Sequence, residues 1–61
     1  MKNKIKLYRK QKAISQIKLS QALGVSRQTI NAIENNKYDP SLSLAFKLAS
    51  ILDTTVDDLF S

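Results

Sequence analysis

The chain contains a single glycine, Gly24, set between two short segments whose apolar residues recur at helical spacing. Glycine enters the left-handed backbone region without strain, so this position reads as the end of one helix and a tight turn into the next. Counting from Gln16, the fourth, eighth, tenth, fifteenth and eighteenth residues are apolar: Leu19, Leu23, Val25, Ile30 and Ile33. The fifth residue, Ser20, is small, and the ninth is Gly24. Two helices crossing near a right angle have these requirements: a small residue where the backbones approach, a glycine at the turn, and apolar positions that lock the crossing. Seven matches in twenty residues define a helix-turn-helix over residues 16–35.

The remaining punctuation predicts three more short helices. Asn3 caps a first helix over residues 4–12, with Ile5 and Tyr8 on one face. Ser15 caps the second, from Gln16 to Leu23, with Leu19, Ala22 and Leu23 facing inward. Ser26 caps the third, which runs to about Asn35, and Asn36 takes the left-handed end position. Pro40 biases Asp39 away from helical angles. Ser41 then caps a fourth helix to Leu52, whose apolar stripe is Leu42, Ala45, Phe46, Ala49 and Leu52. Thr54 or Thr55 caps a short fifth helix, with Asp57 and Asp58 in its first turn, where negative charge is favoured. No segment alternates with the period of a strand. The expected fold is all-α, with five helices.

Composition narrows the function. Sixty-one residues make one domain, 1–61. A domain of about 60 residues buries only ~60% of its unfolded surface. The absence of Cys and His excludes disulfides and Cys/His zinc sites, leaving close-packed helices aided by self-association. The same absence removes the commonest general base and the best nucleophile at neutral pH. Five carboxylates supply little for paired-acid chemistry or magnesium, and so small a core leaves no room for a substrate pocket of ~300 Å³ or more. The expectation is no enzyme, no metal and no cofactor. No apolar stretch reaches the ~18 residues of a membrane span, and no signal-peptide pattern opens the chain, so a cytoplasmic location is expected.

The charge is divided along the chain. Residues 1–37 hold nine cations against Glu34 alone, a net of +8, and residues 38–61 hold Lys47 against four aspartates, a net of −3. One cationic end points to a polyanion, either nucleic acid or a membrane surface, unless the lysines serve solubility alone. The first helix has too little apolar character for a membrane binder.

The outward face of the third helix bears on that choice. At about 100° per residue from Ile30, Gln28, Asn31, Ala32 and Asn35 fall between about 100° and 200°, away from the core, whereas Glu34 lies near 40°. Arg27 stands in the first turn. Arg grips the O6/N7 edge of guanine, Gln and Asn grip the N6/N7 edge of adenine, and Ala meets a thymine methyl. Phosphate suits the surroundings: Gln16 opens the second helix, where free N–H groups favour an anion, and Asn35, Asn36, Lys37 and Tyr38 follow the third.

The stretch beginning Ile14-Ser15-Gln16 and continuing Leu23-Gly24-Val25-Ser26-Arg27-Gln28-Thr29-Ile30-Asn31-Ala32-Ile33-Glu34-Asn35-Asn36-Lys37-Tyr38-Asp39-Pro40 resembles the Cro/CI-type helix-turn-helix family (XRE family, lambda-repressor-like fold). More narrowly it resembles compact bacterial regulators with little beyond the DNA-binding domain. The resemblance runs from Ile5 to Phe60. It implies that the third helix enters the major groove, that Gln16 and Gln28 match DNA-contacting positions, and that Ser26, Arg27, Asn31, Ala32, Asn35 and Lys37 align with further ones. Arg9 and Glu34 match a structural ion pair of the family, whose members act mostly as dimers on two-fold operators.

Four departures from the family pattern stand out. Ala13, Asn36 and Asp53 occupy places where the family often has Gly, so the turn at Ala13 is expected to be slightly reshaped; Ser20 replaces Ala. Leu7 and Ile17 fill places usually charged, either as local packing or as a protein contact. The resulting expectation is a regulator, most simply a repressor, binding operator DNA as a homodimer. Arg27, Gln28, Asn31 and Ala32 read bases, and Gln16, Ser26, Thr29, Asn35, Asn36, Lys37 and Tyr38 hold backbone. The dimer surface is placed near the corner of the fourth and fifth helices, with Leu59 or Phe60 facing either the partner or the core. The alternative is an antitoxin-like protein-interaction component. No small-molecule effector is assigned.

Overall fold

The computed structural model describes residues 2–61, which form five helices: α1 (Ile5–Gln11), α2 (Gln16–Leu23), α3 (Arg27–Glu34), α4 (Leu42–Ile51) and α5 (Val56–Leu59). No strand occurs among the described residues. The expected helices at 4–12, to Asn35 and to Leu52 are each trimmed to these bounds, because their outermost residues act as caps.

Hydroxyl caps start four of the helices. Ser15, Ser26, Ser41 and Thr55 accept from the backbone N–H groups of Lys18, Thr29, Leu44 and Asp58 at 3.0–3.2 Å. Each such cap contributes about 1 kcal/mol. Ahead of α1, Asn3 Oδ1 accepts from the Ile5 N–H at 3.1 Å, one residue before the position where a standard cap would stand.

The ends of α1 to α4 repeat one device. Val25 N–H donates to Ser20 O and Gly24 N–H to Gln21 O, the paired bonds of a Schellman motif, with Gly24 at φ 70°. The same two bonds recur around Ala13 (φ 56°), Asn36 (φ 61°) and Asp53 (φ 58°). The turn at Ala13 is therefore not reshaped: alanine takes up the left-handed conformation that glycine enters more easily, at a local cost on the order of 1 kcal/mol.

The core draws Ile5 from α1, Leu19 and Leu23 from α2, Ile30 and Ile33 from α3, Leu48, Ala49 and Leu52 from α4 and its end, and Leu59 from α5. Two expectations are corrected here, and one open choice is resolved. Ala22 is exposed, because α2 turns its Ser20 side inward. There the Ser20 hydroxyl donates to Ile17 O at 2.7 Å and so remains satisfied while buried. On α4, Leu48 is fully buried, whereas Leu42 and Phe46 are 68% and 58% exposed. Ser43, Lys47 and Ser50 mark a polar edge of that helix, and Ala45, Leu48 and Leu52 lie opposite it; the expected stripe is centred too near that edge, beside which Phe46 falls. Leu59 is core rather than partner-facing, and Phe60 is half-buried against that core.

Two long-range clasps hold the segment before α1. Lys4 N–H donates to Leu59 O at 2.7 Å. The Asn3 amide donates to Ile33 O at 2.7 Å and to Asn36 Oδ1 at 3.2 Å, which ties this segment to the end of α3.

Candidate nucleic-acid interface

Burying Ile30 and Ile33 fixes which side of α3 faces outward. Arg27, Gln28, Asn31 and Asn35 are exposed there, with Thr29 and Ala32 half-buried beside them. Arg27, Gln28, Asn31, Ala32 and Lys37 line an open hollow of about 440 Å³. It lies open on the surface rather than within the core, and its lining carries no carboxylate, hydroxyl or thiol. A second open hollow of about 370 Å³ is lined by Arg9, Ser15, Gln16, Ile17 and Arg27. Arg27 borders both.

Several of the polar groups are already engaged. Ser26 Oγ, besides capping α3, lies 2.9 Å from Thr29 Oγ1. The Asn35 amide donates to Asn31 O at 2.9 Å and also to Asn31 Oδ1. Asn31 therefore keeps its own NH2 free to donate while its oxygen is partly occupied. Asn36, Lys37 and Tyr38 are exposed in the loop after α3, next to the hollow that Lys37 helps to line.

Beneath the interface lies an ion pair. Arg9 Nε donates to Glu34 Oε2 at 2.8 Å and Nη2 to Oε1 at 3.3 Å, with the two side chains only 11% and 4% exposed. Arg9 Nη1 also donates to Ile14 O at 2.9 Å. The one acid of residues 1–37 is thus neutralised inside, which leaves the outer face without negative charge. Gln16, the expected phosphate contact at the start of α2, donates its Nε2 to Glu34 Oε1 at 3.1 Å and accepts from Arg27 Nε at 3.4 Å. Sequence reasoning missed this link between α2 and α3, and also the clasp through Asn3. Both join residues more than ten positions apart, for which local spacing carries no signal.

Among the described residues, no cluster of three or more Asp, Glu, His or Cys could hold a metal, and no helix is long and apolar enough to cross a membrane. A polar, acid-free helix face beside a loop that carries Lys37 is the surface of a helix-turn-helix DNA-binding protein. The Helix-turn-helix family HTH_3, of XRE type, matches residues 5–59, and the chain belongs to it. It is a DNA-binding transcriptional regulator. An uncharacterised HTH-type transcriptional regulator of Methanocaldococcus jannaschii is 55% identical over 60 residues, covering 98% of this chain and 91% of the relative. The crystal structure of SinR, described as the master regulator for biofilm formation, in complex with DNA superposes with a TM-score of 0.83 at 34% identity, over 93% of this chain and 92% of that one. A complex of SinR with SinI matches at a TM-score of 0.77 and 36% identity, over 85% of this chain and 52% of that one.

Proposed function

We propose that one domain, residues 1–61, binds an operator as a homodimer and represses transcription by excluding polymerase from a promoter in the cytoplasm. The observation that carries this reading is the outward face of α3, with Arg27, Gln28 and Asn31 around a hollow bordered by Ala32. A helix with its side chains is about 10–12 Å across, which matches the ~12 Å width of the major groove. Gln16, Ser26, Thr29, Asn35, Asn36, Lys37 and Tyr38 hold the sugar-phosphate backbone and set the register.

A body of 24 × 23 × 19 Å fits one half-site, and two copies can sit about 34 Å apart on one face of the duplex without overlap. With Leu59 buried, the exposed apolar pair Leu42 and Phe46 on α4 becomes the favoured contact between the copies. Selection of bound duplexes from a random pool tests the whole reading: a two-fold site with fixed spacing is expected, and enrichment of no sequence would overturn it.

A second reading, an interaction component of the antitoxin type, draws on Leu7 and Ile17, each 53% exposed on α1 and α2. The SinR neighbour solved with SinI shows that the fold occurs in a complex with another protein. On this reading, replacing both residues by Ser abolishes binding to a protein partner and leaves operator affinity unchanged.

A further inference from the structure

Two asparagines one turn apart set the chemistry of the outward face of α3. A backbone carbonyl only accepts hydrogen bonds, so the end of the Asn35 amide that meets Asn31 O at 2.9 Å must be its NH2. The second hydrogen of that NH2 goes to the Asn31 side chain, whose facing atom is therefore Oδ1. The Asn31 amide is thus held with its oxygen against Asn35 and its NH2 free, and Asn31 borders the hollow on this face. Arg27 and Lys37, which share that lining, carry donors only. With the Asn31 oxygen withheld, Gln28 alone among the described lining residues offers a side-chain acceptor.

The geometry points to Asn35 as a positioning residue that makes Asn31 a reader of guanine rather than of adenine; this rests on the DNA-reading assignment above. A two-bond grip on adenine needs the oxygen and the NH2 of one amide presented together, to N6 and N7. Guanine offers two acceptors, O6 and N7, to the one group that Asn31 has free. Adenine N6 finds no acceptor there, and cytosine N4 is a donor facing a donor. Asn35 itself has both amide hydrogens in use, and its remaining oxygen cannot bond a phosphate, which only accepts. In this respect Asn35 departs from the backbone-holding group named above.

The test measures binding to four duplexes that differ only at the base pair where Asn31→Ala flattens the preference for a selected operator. Wild type is expected to favour a pair with guanine over one with adenine roughly tenfold, within the range of one bidentate contact. Asn35→Ala frees the Asn31 oxygen, so the pair with adenine should match or pass the pair with guanine. In the Asn31→Ala background, Asn35→Ala should leave the four affinities level. Each readout is a ratio between duplexes for one variant, so any change in the folded fraction cancels. Asn35→Leu keeps bulk without the NH2 and should behave as Asn35→Ala; retention of guanine preference by either variant overturns the proposal. So does a pair with adenine bound best by wild type, and so does equal weakening on all four duplexes by Asn35→Ala, the mark of a backbone contact. If an operator is selected but Asn31→Ala flattens no position, the proposal falls while the operator reading stands. If wild type selects no sequence, the operator reading itself fails.

Discussion

Helices α3 and α4 use the same core in opposite ways. The exposed side of α3 offers Arg27, Gln28, Asn31 and Asn35, none of them apolar. The exposed side of α4 offers Leu42 and Phe46, one turn apart. The polar face is complementary to base edges and phosphates, and the apolar face to another protein surface. Both faces lie outside the packing that holds the fold. Binding and stability should therefore separate on each helix according to which way a residue points.

The largest effect should come from the inner edge of α3. Glu34→Ala strands the buried Arg9 guanidinium and is expected to destabilise the fold by about 3–5 kcal/mol in denaturant titration. Next is the inward side of α4, where Leu48→Ala should cost about 2–5 kcal/mol by the same measurement. If instead Phe46→Ser costs as much as Leu48→Ala, the inside–outside division of α4 is wrong. The outward face of α3 should show the reverse pattern. Gln28→Ala is expected to leave thermal stability unchanged and to lose about 1–3 kcal/mol of discrimination at one base pair, read by titrating matched and substituted duplexes. Equal weakening on operator and random DNA would remove Gln28 from base reading. Ala13→Gly, remote from both faces, should stabilise by about 0.5–1 kcal/mol in thermal melts, because it relieves the left-handed alanine. The smallest effect belongs to Phe46→Ser, within about 0.5 kcal/mol for the folded monomer, with any loss confined to self-association in sedimentation.

The legible parts of the molecule were those written in local chemistry. Ser15, Gly24, Ser26 and Asn36 announce their roles by type and neighbours, and all four adopt the expected cap or turn geometry. The side of α3 that faces outward followed from Ile30 and Ile33 alone. Of what escaped, one miss was local: on α4, Leu48 lies opposite the polar edge of Ser43, Lys47 and Ser50, whereas Phe46 lies beside it. The bonds of Gln16 to Glu34, eighteen residues later, and to Arg27 join separate elements and carry no local signal. The left-handed alanine shows a third limit: the turn is specified by the residues around it strongly enough that glycine is dispensable.

The bond from Lys4 N–H to Leu59 O spans almost the whole folded sequence. Closing so long a loop carries the largest chain-entropy cost of any backbone contact in the molecule, and it brings no helical bond of its own. During folding it belongs with the late events, after α2 and α3 have docked. In native fluctuations this bond is expected to open before the core does, freeing α5 while Arg9 keeps α1 fastened to Glu34 of α3. Faster amide exchange at Lys4 than at the amides of α2 and α3 would be the sign of it, and the paired helices that meet DNA stay ordered while the C-terminal end breathes.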